Sequence, residues 1–169
     1  MTFHIGEKVV YPNQGVGTIE NISLRCFGSQ AQQFYLLRLL YSSMTVMVPV
    51  SQAGEIGLRR VTRNGELARV LSFLSTGVCR SSRDWKNRFK ENSDKMRSGG
   101  LLEMAEVLKG LLVIQQEKPL SFREKKMLDR ARHMLVSELS ISRGLPPEEA
   151  AALLDQALAK ASLHFPSAL

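Results

Sequence analysis

"IGLRRVTRNGELARVLSFL", Ile56–Leu74, joins two kinds of sequence. Up to Val61 the chain runs in short β-branched and aromatic stretches broken by turn formers. From Gly65 onward apolar residues recur at helical spacing, and Glu66–Leu74 reads as a short helix. Reading outward from this junction, the fold class is α+β: a small β-domain over residues 1–62, then an all-α bundle of about five helices over residues 63–169.

On the N-terminal side, "KVVYP" is a short strand stopped by Pro12. "NQGVG" is a turn, with Gly15 and Gly17 available for positive φ. "VGTIENISLRCF", "QQFYLLRLLY", "MTVMVPV" and "IGLRRV" supply further strands, the middle pair joined by Ser42-Ser43. Short strands without a helical period predict a small curled sheet or barrel. On the C-terminal side, "SRDWKNRFKENSDKMR" reads as a helix stopped at Gly99-Gly100, with Ser81 or Ser82 as candidate cap. "LLEMAEVLKGLLVIQQ" places Leu101, Ala105, Leu108 and Leu112 on one face. "SFREKKMLDRARHMLVSEL" opens with Ser121 and Glu124 in capping-box positions, and Gly144 ends it. "PPEEAAALLDQALAKASL" starts with proline and glutamate, both favoured in a first helical turn.

The 169 residues carry a net charge of +7 and are 44% hydrophobic. Between Arg59 and Arg97 stand eleven basic residues (Arg59, Arg60, Arg63, Arg69, Arg80, Arg83, Lys86, Arg88, Lys90, Lys95, Arg97) against Glu66, Asp84, Glu91 and Asp94. That excess equals the charge of the whole chain, so this region is nominated for an anionic partner. No segment has the roughly 20 apolar residues of a membrane span, and no signal-peptide pattern opens the chain. A cytoplasmic protein without membrane contact is expected. Cys26 and Cys79 lack metal-ligand spacing and read as free thiols.

Catalytic patterns are missing. His4, His133 and His164 have no partner at metal-ligand spacing. "GVG" lacks the third glycine of a phosphate loop and sits among strands, where a hairpin turn is the simpler reading. The acids fall mostly on helix faces expected to be solvated. Neither enzyme activity nor a metal or other cofactor is expected.

The single tryptophan, Trp85, lies in the basic stretch "SSRDWKNRFKEN". At about 100° per residue, Trp85, Phe89 and Met96 form one apolar stripe. Arg83, Lys86, Lys90 and Arg97 border it on one side, and Arg88 and Lys95 on the other. Trp85 is then either a core anchor or, at the helix start, a wedge against bases with phosphates held on both flanks.

Taken in order, "GEKVVYPNQGVGTIE", "FYLLRLL", "MTVMVPV", "GLRRV", "WKNRFKENSDKMRSG", "AEVLKGL" and "LSFREKKMLDRARHMLVSEL" resemble the CarD/CdnL group of bacterial transcription regulators over about residues 3 to 160. The resemblance implies a Tudor-like (SH3-like) β-domain that binds the RNA polymerase β subunit. It also implies a helical domain that contacts promoter DNA at the upstream edge of the transcription bubble. There a tryptophan wedges into the minor groove and stabilises the open complex formed with the primary σ factor. Trp85 matches that tryptophan, in a W-x-x-R context with Arg88. Lys90, Lys125 and Lys126 match basic positions on the DNA side, and Lys86 belongs to the basic face. Arg25 and the "TVMVPV" strand match the polymerase-facing part, where this chain has Met47 at a position some relatives fill with arginine. The link "STGVCRSSRD" has no proline where some relatives do. A monomer making largely sequence-independent DNA contacts is expected. The rival readings are a protein-only adaptor with Trp85 in the core, and a general DNA-packaging protein.

Overall fold

The computed structural model describes residues 2–78 and 84–165. By internal contacts the chain divides into Met1–Val61 and Thr62–Leu169.

The first unit is built on a five-stranded antiparallel sheet. Its strands are β1 (Lys8–Tyr11), β2 (Gly15–Phe27), β3 (Gln30–Leu39), β4 (Thr45–Pro49) and β5 (Arg59–Arg60), in the order β4-β3-β2-β1-β5. The β1–β2 turn uses positive φ at Asn13 (66°) and Gly15 (96°). Gly17 serves a different purpose from the one expected. Its φ is not positive; instead a Cβ there would meet Leu37 Cδ1 at 2.8 Å and the Arg38 carbonyl at 2.9 Å. Only a glycine lets β3 pass this close. A register shift between Ile19 and Asn21 exchanges the two faces of β2, as an irregularity in one strand of a pair does. One face therefore buries Val9, Ile19, Tyr35, Leu37, Leu39 and Val48 together with Phe3. The Phe3 amide donates to Tyr35 Oη at 3.2 Å, and the two rings meet edge-on at 5.8 Å. Between β4 and β5 lie a 3₁₀ turn (Val50–Gln52) and the one-turn helix α1 (Ala53–Ile56), closed by left-handed Gly57. The sequence offered no sign of either, because a single turn is too short to show a period.

Among the described residues the second unit has five helices: α2 (Asn64–Thr76), α3 (Trp85–Ser98), α4 (Leu101–Glu117), α5 (Phe122–Arg143) and α6 (Pro147–Ala159). α4 is the central helix, packed by α2, α3 and α5. Its buried side chains include Leu101, Ala105, Leu108 and Leu112, the face expected from spacing. Lys109 interrupts that apolar run and is itself 4% exposed. Its ammonium donates to the carbonyls of Phe73 (2.7 Å) and Gly77 (2.6 Å), so α4 caps the C-terminus of α2. The entrance to the unit is pinned at Thr62, whose amide donates to Glu138 Oε2 at 2.9 Å and whose carbonyl accepts from the Ser142 hydroxyl. Most acids are exposed, as expected; Glu124 and Glu138 are the exceptions, both buried. α3 and α5 end on left-handed Gly99 and Gly144.

Candidate nucleic-acid interface

α3 starts at Trp85 because Asp84 caps it, accepting the Lys86 amide at 3.2 Å. The expected caps Ser81 and Ser82 lie outside the described residues, as do Cys79, Arg83 and the side chain of Trp85. Lys95 and Arg97 occupy the last turn, where cations suit the helix dipole. Met96 and Asn92 are buried and Phe89 is half-buried, so this stripe faces the bundle. Lys86 and Lys90 are exposed.

The two cations expected on the opposite flank are both paired with acids. Lys95 pairs with Glu106 of α4 at 2.8 Å. Arg88, expected to face DNA, is 4% exposed and donates through Nε to Glu124 Oε2 at 2.9 Å. The physical reason is that an arginine and a glutamate can enter the interior together as a hydrogen-bonded pair but not singly. Glu124 also closes the capping box of α5: the Ser121 side chain accepts the Glu124 amide at 3.2 Å, and Glu124 Oε1 accepts from the Ser121 amide. Burial pushes the Glu124 pKa up, but the Arg88 hydrogen bond and charge, with the Ser121 donors, outweigh it and hold the carboxyl below the usual range.

With its only first-turn acid turned inward, α5 presents cations outward. Arg123, Lys125 and Lys126 are exposed. The Arg123 guanidinium lies 6.0 Å from the Phe89 ring centre of α3, and the Lys126 ammonium lies 4.6 Å from the ring of Phe122. Phe122 is 72% exposed. Sequence reasoning missed both Phe122 and Arg123. The signal was there: "SFREKK" sets an aromatic among cations just as "RDWKNR" does.

In the β unit, Arg25 and Met47 share a sheet face. Register places Arg25 opposite Gln32, Phe34 opposite Pro49, and Leu36 opposite Met47. Arg25 and Met47 are thus four residues apart along β3, or ~13 Å. Met47 is 42% exposed, Phe27 is 62% exposed, and the Phe27 and Phe34 rings meet at 6.1 Å on this face. β4 is an edge strand of the sheet, and an unpaired edge can accept a further strand. Among the described residues no group of three His, Cys, Asp or Glu side chains is placed to hold a metal ion, and no helix is long and apolar enough to cross a membrane.

The model of the CarD-like/TRCF RID domain matches residues 3–62, and that of the CarD C-terminal domain matches residues 69–155. The chain belongs to the CarD/CdnL family. It is 38% identical over 147 residues to YdeB of Bacillus subtilis (strain 168), a protein named as a candidate transcription factor; the match covers 87% of this chain and 96% of that one. A solved structure described as "CdnLNt from Myxoccoccus xanthus" is 41% identical, covering 36% of this chain and 86% of that one, with a TM-score of 0.31. Membership makes the chain a CarD/CdnL-family transcription factor, with an N-terminal domain of the RNA polymerase-interacting type. The site residues then fall into three groups. Lys86, Lys90, Lys125 and Lys126 are exposed on α3 and α5, Arg25 and Met47 lie on one face of the sheet, and Arg88 is interior.

Proposed function

We propose that this CarD/CdnL-family chain docks on the RNA polymerase β subunit through its sheet and stabilises the promoter open complex through α3 and α5. The observation that carries this reading is the exposure of Lys86 and Lys90 on α3 and of Arg123, Lys125 and Lys126 on α5, with Lys126 against exposed Phe122. Phosphates are the natural partners of such cations. Cations that meet phosphates carry no base information, so largely sequence-independent binding follows. Trp85 stands at the first position of α3, next to Lys86 in sequence, and in this reading its indole meets the strained base step at the upstream fork. Stacking of that kind contributes about 1–3 kcal/mol, less than or comparable to the cost of opening a step. The protein therefore holds DNA that polymerase has opened rather than opening duplex itself.

The sheet supports the docking half. The Arg25–Met47 face is partly apolar, and β4 offers a free edge. Where some relatives carry arginine, Met47 supplies apolar contact. Holding the helical unit on polymerase raises its effective concentration at promoter DNA, so weak DNA affinity is enough. The test is the lifetime of a competitor-challenged polymerase–promoter complex with and without the protein. A longer lifetime supports the reading, and an unchanged lifetime refutes it.

A further inference from the structure

The two cationic segments of the proposed DNA surface lie on different helices, and what joins them is an ion pair. On α3, Lys86 and Lys90 each stand two positions from Arg88, or about 200° around the helix. When Arg88 points into the bundle, both lysines point out. On α5, Glu124 is flanked by Arg123 and Lys125, and it too points in. The two interior groups meet at 2.9 Å, each side chain 4% exposed. Glu124 is simultaneously fixed by Ser121 through the capping box. The first turn of α5 is therefore locked both to its own cap and to the second turn of α3.

We infer that Arg88 and Glu124 form a positioning pair: they set the register of Lys86 and Lys90 against Arg123, Lys125 and Lys126, so that one DNA backbone meets all of them together. Arg88 touches no DNA in this arrangement. Sites that engage several groups at once depend on interior hydrogen bonds of this kind to hold the outer groups in place. The inference rests on the DNA-contacting reading above.

The sign of a single substitution separates positioning from plain electrostatics. Glu124→Gln removes a negative charge close to a cationic surface. Simple Coulomb attraction then predicts tighter DNA binding. The side chain keeps its size, and glutamine still closes a capping box, but the ionic link to Arg88 is gone. Positioning predicts weaker binding. The experiment is fluorescence anisotropy of the full chain with a short duplex unpaired at one end, in moderate salt, alongside open-complex lifetime. Thermal melting checks the fold, and Lys90→Ala and Lys125→Ala serve as controls. We expect Glu124→Gln to bind at least threefold more weakly and to shorten the lifetime in proportion. Arg88→Met should be no worse in the Glu124→Gln background than alone, since both act through one link. Unchanged or tighter binding by folded Glu124→Gln overturns the inference while the lysine controls still lose affinity. If the lysine controls also bind normally, the DNA-contacting reading itself fails, and the inference with it. Should Glu124→Gln not fold, the neutral pair Arg88→Met/Glu124→Gln carries the same test: native affinity overturns the inference, and a threefold loss supports it.

Discussion

Replacing Arg88 by methionine strands a carboxylate inside the helical unit. Glu124 is 3% exposed and keeps its Ser121 partners on Oε1, but Oε2 loses the guanidinium. Breaking a buried pair from one side costs about 3–5 kcal/mol. The remaining Ser121 donors favour the lower end, about 3 kcal/mol. For a unit of roughly a hundred residues each kcal/mol moves Tm by about 4–8 °C, so a fall of at least ~12 °C is expected. The assay is far-UV circular dichroism on heating, which reads the helices. The pH dependence has a defined sign. In the native protein the Glu124 pKa is depressed below the usual 4.5. Its pairing thus stabilises the fold fully above that value and is lost as pH falls through the folded pKa. In Arg88→Met only the Ser121 donors are left to oppose burial, so the carboxyl protonates more readily than in the native protein and the cost of burying its charge is relieved. The Tm gap between native and variant should therefore be wide at pH 7 and narrow as pH falls toward and below about 4.5. A loss under ~1 kcal/mol at pH 7, or a gap independent of pH, would refute the assignment of Arg88 and Glu124 as a buried ion pair.

Two other substitutions probe the two units separately. Gly17→Ala should destabilise the β unit by about 1–3 kcal/mol, because its Cβ would lie 2.8 Å from Leu37 Cδ1 and 2.9 Å from the Arg38 carbonyl; urea titration followed by tyrosine fluorescence measures it, and an unchanged midpoint contradicts the packing role. Lys125→Ala should leave Tm within a degree or so while lowering the slope of log Kobs against log salt for duplex DNA by about 0.9, the share of one phosphate; an unchanged slope removes Lys125 from the DNA surface.

Much of the fold was legible because it rests on local signals. The change of period near Gly65, the Ser121–Glu124 box and the terminators Gly99 and Gly144 act within a few residues of themselves. The structure reproduces each of them. What was not legible depends on partners distant in sequence. Arg88 and Glu124 are 36 positions apart, and helical angles alone put Arg88 on a solvated flank. Nothing local to "WKNR" reveals that an acid waits on another helix. Gly17 was assigned a turn role because glycine's lack of a side chain serves both positive φ and close approach, and sequence does not distinguish them. The spacing of apolar residues in α4 says nothing of Lys109, although a lone lysine in "EVLKGLLVI" is itself a sign of a buried partner. For the candidate DNA surface, counting charges nominates α3. It overcounted, because it included Arg88 and Lys95, whose charges are matched by Glu124 and Glu106. It also stopped short of Phe122 and Arg123 on α5.

The most direct test of the proposed wedge is the lifetime of a polymerase–promoter open complex under competitor challenge, compared for no factor, native protein and Trp85→Ala. A contribution of about 1.4 kcal/mol acting on closing lengthens the lifetime about tenfold. The prediction is that native protein gives this extension and folded Trp85→Ala loses most of it. Equal lifetimes with native and Trp85→Ala would contradict the wedge and favour a protein-only adaptor.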